Sequence, residues 1–140
     1  VTLGQIYDKM YQDSALVNPQ QANESFVKAM SYYQQAMEKD PKNFDAVYSI
    51  GALWYNKAAA YSKELNDLSN DYSTEGNRKY EAKKAQMDEA FEKALPIFMQ
   101  AESINPQDYN TLVALREIYA RQDKLDVAEQ YKIKIDNLPK

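Results

Sequence analysis

Apolar residues recur at three- and four-residue steps over six stretches of the chain, approximately 2–13, 20–39, 44–68, 77–104, 109–121 and 124–137. That period gathers side chains on one face of an α-helix, whereas strands alternate in twos. In the third stretch the stripe is Val47, Ile50, Trp54, Ala58, Tyr61, Leu65 and Leu68, and in the fourth Tyr80, Met87, Phe91, Ala94, Phe98 and Ala101. The sixth carries Leu125, Ala128, Tyr131, Ile135 and Leu138. Between the stretches lie Asn18-Pro19, Asp40-Pro41, Gly76 and Asn105-Pro106, residues that stop one helix or cap the next. An all-α chain of about six antiparallel helices is predicted, with Trp54, Tyr33 and Phe98 in the core.

The stripes repeat. Ala29, Tyr33, Ala36 and Pro41 recur at the same spacing as Ala94, Phe98, Ala101 and Pro106. Six and nine residues after each proline stand Val47 with Ile50, and Leu112 with Leu115. Ile50-Gly51 is followed by Trp54, Leu115-Arg116 by Tyr119, and Leu3-Gly4 by Tyr7. These spacings resemble the tetratricopeptide pattern, W-x₂-L-G-x₂-Y followed by A-x₃-F, an alanine and a closing proline. The resemblance implies a right-handed superhelix of helical hairpins, an α-solenoid, in about three repeats over 1–43, 44–108 and 109–140. Small residues at Gly51, Ala29 and Ala94 would let paired helices approach, with Trp54, Tyr33 and Phe98 filling the space between neighbours.

Four departures shape the expectation. The matched prolines are 65 residues apart, 31 more than the usual period of 34. The extra residues fall between Trp54 and Ala94, where the helical pattern never breaks, so they should lengthen the middle hairpin into an arm tipped by 69–77. Such an arm cannot bury its apolar face alone, and either the 20–39 helix or a second molecule should cover it. Lys132 and Ile135 replace the aromatic and the alanine of the last repeat, as suits the outer face of a terminal helix. Pro96 should bend the fourth helix, and a first repeat without its opening half-turn suggests a segment upstream of Val1.

Composition narrows the chemistry. The 140 residues contain no histidine and no cysteine, which excludes a histidine base, a thiol nucleophile and imidazole or thiolate metal sites. A formal charge of −4 argues against nucleic acid, whose phosphates require a basic stripe. No apolar run approaches the ~20 residues that span a bilayer. Carboxylates sit mostly beside lysines, as in Glu81-Ala82-Lys83-Lys84, the pattern of a solvated face. No catalytic residue, metal or cofactor is assigned, and the compartment is left open.

In the tetratricopeptide family the first helix of each pair lines a concave groove that takes peptides or helices. By that resemblance the groove would be lined by Gln5, Asp8 and Lys9, then by Tyr48, Ser49, Ala52, Tyr55 and Asn56, and then by Asn110, Val113, Glu117 and Arg121. Tyr48 and Tyr55 are the best anchors, being rigid amphipathic aromatics, although either could pack within the chain instead. The family's clamp for chaperone C-termini needs lysine and arginine where this chain has Val1, Gln5, Ser49, Asn110 and Ala114, so that use is disfavoured. The segment Asp71 to Gly76 resembles the opening of a calcium loop, but Ala82 stands where a bidentate glutamate is needed, and a solvated connection turning at Gly76 is the simpler reading. Tyr7, Tyr33, Tyr61, Tyr80, Tyr119 and Tyr131 fall at core spacing. The expected function is a scaffold that binds a protein or peptide without catalysis. The alternatives are self-assembly, as a homodimer through the extended hairpin 44–104, and a role as an accessory domain of a larger protein.

Overall fold

A computed structural model describes residues 3–14 and 18–139; Val1 and the expected helix start at Thr2 lie outside them. Six helices follow one another: α1 Leu3–Ser14, α2 Pro19–Lys39, α3 Phe44–Leu68, α4 Thr74–Ile104, α5 Tyr109–Arg121 and α6 Leu125–Asp136. There is no strand among the described residues. Four helices start on a side chain that accepts the orphan amide of the first turn: Asn18 from Gln21, Asn43 from Ala46, Ser73 from Gly76 and Asp108 from Thr111, each cap holding a donor that the helix cannot satisfy itself. Pro19 occupies the first turn of α2, where its missing N–H costs nothing.

The two proline turns are built alike. Asp40 N–H donates to the Ala36 carbonyl (3.1 Å), and Asn105 N–H to the Ala101 carbonyl (2.9 Å). Lys42 N–H then reaches Asp40 Oδ1 (3.1 Å), as Gln107 N–H reaches Asn105 Oδ1 (3.4 Å). The matched sequences therefore produce matched geometry, 65 residues apart.

Each helix packs mainly on its chain neighbour: α1 on α2, α3 on α4 and α5 on α6, with smaller contacts from α2 to α3 and from α4 to α5. Small residues set the close approaches. A Cβ at Gly4 would stand 2.8 Å from Tyr33 Cε1, and one at Gly51 would stand 3.0 Å from Phe98 Cε1, so in two hairpins the glycine of the first helix receives the aromatic ring of the second. Ala29, Ala94 and Ala101 are fully buried. Two apolar clusters result: one joins Tyr11, Phe26, Met30 and Tyr33 to Ile50 and Leu53, the other joins Phe91 and Phe98 to Leu112, Leu115, Ile118 and Tyr131, and Trp54 packs against both.

Several expectations need correction. Trp54 is only half-buried: Phe26 meets it edge-on at 5.0 Å, while the ammonium groups of Lys57 and Lys93 lie 5.5 and 4.7 Å from its ring centre. Of the six tyrosines at core spacing, Tyr33 and Tyr131 are buried; Tyr7, Tyr61, Tyr80 and Tyr119 are half-buried. Leu125 opens α6 at the edge of the turn and stays 63% exposed. Helix α4 starts at Thr74, three residues before the expected 77, so Gly76 lies inside its first turn. It is small because Asp71 is close, a Cβ there standing 2.3 Å from the carboxyl carbon. Asp71 Oδ1 accepts from both the amide (3.0 Å) and hydroxyl (2.6 Å) of Ser73, and these bonds hold its carboxyl below the usual range. Among the described residues no group of three potential carboxylate ligands gathers around a metal position. Pro96 lies within an unbroken α4 with its side chain exposed.

The arm is present and its base is covered. Helices α3 and α4 are 25 and 31 residues long, roughly 37 and 46 Å at 1.5 Å per residue. Glu64 and Lys83 pair across them at 2.7 Å. Tyr11, Ala22 and Phe26, from α1 and α2, share a cavity wall with Ala60, Tyr61, Glu64 and Lys83, and Lys57 Nζ lies 4.4 Å from the centre of the Phe26 ring. The hairpin α1–α2 thus lies along the lower half of the arm. No described helix is long and apolar enough to cross a membrane.

Candidate functional site

Tyr48, Ala52, Tyr55 and Asn56 follow one another on α3 at steps of four, three and one, which places them on adjoining faces of one helix. Asn110, Val113 and Glu117 do the same on α5. These seven residues line a single cavity of about 290 Å³ between the two helices, with Phe98 and Ala114 completing the wall. A row of rings supports it. Phe44 stacks on Tyr48 at 5.9 Å, Tyr48 meets Phe98 edge-on at 5.8 Å, Phe98 meets Tyr55 at 6.5 Å, and Tyr55 meets Phe91 at 5.5 Å. Edge-to-face contacts of this kind hold aromatic side chains in fixed orientations.

The hydroxyl of Tyr55 donates to Glu117 Oε2 across the cavity. Burial pushes the Tyr55 phenol up to about 12, helped by the bond to Glu117 and its charge and opposed by Arg121. Burial also raises Tyr48, with the nearby charge of Asp108 adding to it. Both rings are therefore neutral hydrogen-bonding groups at any ordinary pH. Each is half-buried, so each packs within the chain and faces the cavity at once.

The remaining expected residues divide. Gln5 and Ser49 line a second cavity of about 420 Å³, walled by α1, the end of α2 and the start of α3 and including Tyr32, Tyr33, Lys39 and Asp45. Ser49 and Tyr48 are neighbours in the chain, so α3 separates the two cavities. Asp8 and Lys9 line neither of them. Asp8 Oδ2 accepts from the Tyr33 hydroxyl (3.0 Å), and Lys9 pairs with Asp13 one turn along α1 (3.3 Å). Arg121 lies beyond the first cavity, its guanidinium carbon 4.8 Å from the centre of the Phe91 ring. The apolar stripe predicts Phe98 only as core; that its ring edge forms a cavity wall depends on α5 standing back from it.

No protein-family model matches the chain, and no curated protein matches it in sequence.

Proposed function

We propose that this chain is a tetratricopeptide-like scaffold: three helical hairpins stacked as a right-handed superhelix, with α3 and α5 lining a groove that holds a peptide or a segment of a partner protein without chemical change. Supporting the repeat are the paired turns at Pro41 and Pro106 and the glycine-to-ring contacts Gly4–Tyr33 and Gly51–Phe98. The observation that carries the groove is the convergence of seven side chains from α3 and α5, separated by as many as 69 residues in the chain, on one aromatic-walled cavity. Such cavities, with a few polar groups set among rings, are where interface energy concentrates. The polar groups here are Asn56, Asn110 and Glu117, whose amides and carboxylate suit the N–H and C=O groups of an extended peptide.

Selection of random displayed peptides against the whole chain, followed by nitrogen-15 NMR mapping of the binders, tests this reading. Shifts should centre on Ala52, Asn56 and Val113, and Tyr48→Ser with Tyr55→Ser should weaken binding at least tenfold. Binders that map to the arm, or concentration-dependent dimers that do, would replace the groove reading by self-assembly through the hairpin 44–104.

A further inference from the structure

We propose that the α3–α5 cavity receives a cationic side chain of the partner, arginine in preference to lysine, held against the rings of Tyr48 and Tyr55 and facing Glu117. The inference rests on the groove reading above and specifies the chemistry of its occupant.

Three observations lead to it. The first is the row of rings from Phe44 to Phe91, whose middle members Tyr48 and Tyr55 are half-buried and line the cavity. Ring faces carry negative charge density and attract cations, most strongly where water is partly excluded. At the end of the row this attraction is already in use, with the Arg121 guanidinium stacked over Phe91. The middle of the row faces the cavity, which is large enough for a guanidinium group.

The second observation is the charge beside those rings. Glu117 lines the cavity and is exposed, and Tyr55 engages only its Oε2. Glu117 thus puts one carboxylate in the cavity wall, and no lysine or arginine is among the lining residues, Arg121 being set over Phe91 beyond the cavity. An acidic tail brought here would meet like charge, the reverse of what a carboxylate clamp provides.

The third is shape. A planar guanidinium can lie flat against a ring while its edge donates two hydrogen bonds to a carboxylate. Lysine can satisfy the charge but not both contacts together, which sets the order of preference.

The test uses the whole nitrogen-15-labelled chain and three probes: acetyl-Gly-Arg-Gly-amide, the same peptide with citrulline, and the same peptide with glutamate. Citrulline keeps the shape of arginine and removes its charge. The arginine probe should shift Ala52, Asn56, Val113 and Ala114 saturably, the citrulline probe at least fivefold more weakly, and the glutamate probe not at all. Glu117→Gln, which retains an acceptor for Tyr55, should weaken the arginine probe at least fivefold and leave the citrulline probe unchanged. Citrulline or glutamate binding as well as arginine would overturn the proposal, as would arginine shifts confined to residues elsewhere. The peptides recovered by display separate the two claims. Binders that occupy the cavity without a basic residue refute the cationic occupant and leave the groove intact, whereas binders that avoid α3 and α5 refute both.

Discussion

A methyl group at Gly51 would meet the Phe98 ring at 3.0 Å, and that ring is only 1% exposed and held edge-on by Tyr48 and Tyr55. Alanine at a helical glycine gains about 0.5–1 kcal/mol of helix propensity, but overpacking a filled core costs about 1–3 kcal/mol. Overpacking should win, so Gly51→Ala is expected to lower stability by about 1 kcal/mol in chemical denaturation, and Gly51→Val by more. Removing the ring instead leaves a cavity. Phe98→Ala should cost about 3–5 kcal/mol, and Trp54→Ala, starting from a half-buried ring, about 2–3 kcal/mol. An equal or larger loss at Trp54 would mean that its position between the two clusters matters more than its burial. Tyr55 offers a pH signature. Its phenol is raised to about 12 in the fold from about 10 in the unfolded chain. Between those values the unfolded chain releases the proton and the folded chain keeps it, so stability falls as pH rises. Tyr55→Phe should therefore lose less stability than the parent between pH 10 and 12, measured by denaturant unfolding at fixed salt.

Helix α4 carries two features that act on the whole element. Pro96 lies inside its 31 residues and supplies no amide for the carbonyl of Glu92, a defect worth up to about 3 kcal/mol in a helix interior. Part of that is returned by the narrower unfolded ensemble, about 0.4–1 kcal/mol. Since Pro96 is exposed, Pro96→Ala should raise stability by about 2 kcal/mol, readable as a higher denaturation midpoint with an unchanged slope. The second feature is the division of the arm. Up to the Glu64–Lys83 pair it is packed against α1 and α2 through Tyr11, Ala22 and Phe26, and Ala58 belongs to the main core. Beyond that pair the residues are mostly exposed, Tyr72 at 83%. Replacing 66–81 by a short turn should therefore leave the helical circular dichroism per residue and the unfolding midpoint almost unchanged. Deleting 58–88 should instead uncover α1 and α2 and destabilise the chain. Only the outer half of the arm should therefore be separable from the rest of the chain.

Across the molecule, α3 and α4 have helices on either side, whereas α1 and α6 make their main contacts with a single neighbour. Elements packed on one side only have fewer buried contacts to lose and open first. Amide exchange followed by mass spectrometry should show slowest exchange over 46–58 and 90–101, which hold Val47, Leu53, Ala94 and Ala101 at or near zero exposure. Fastest exchange among the helices is expected in α1 and the last turn of α6. Uniform protection over all six helices would show instead that the chain opens as one unit.

How much of this was legible follows from the range of the interactions. The six helices and their limits, to within three residues at every described end, come from local causes: apolar period, capping side chains and prolines. The correspondence of the two proline turns was also visible, because residues at equal spacing with equal chemistry form equal hydrogen bonds. Gly51 as a site of close approach was legible for the same reason. What the residues could not reveal depends on distances between elements. That Asp8 and Lys9 line neither cavity, and engage Tyr33 and Asp13 instead, depends on how α1 and α2 lie together. That Tyr48 and Tyr55 are half-buried and line a cavity follows only from α5 standing opposite α3. Helical period assigns a residue to a face; only the packing of one helix against another determines whether that face is filled, half-covered or open.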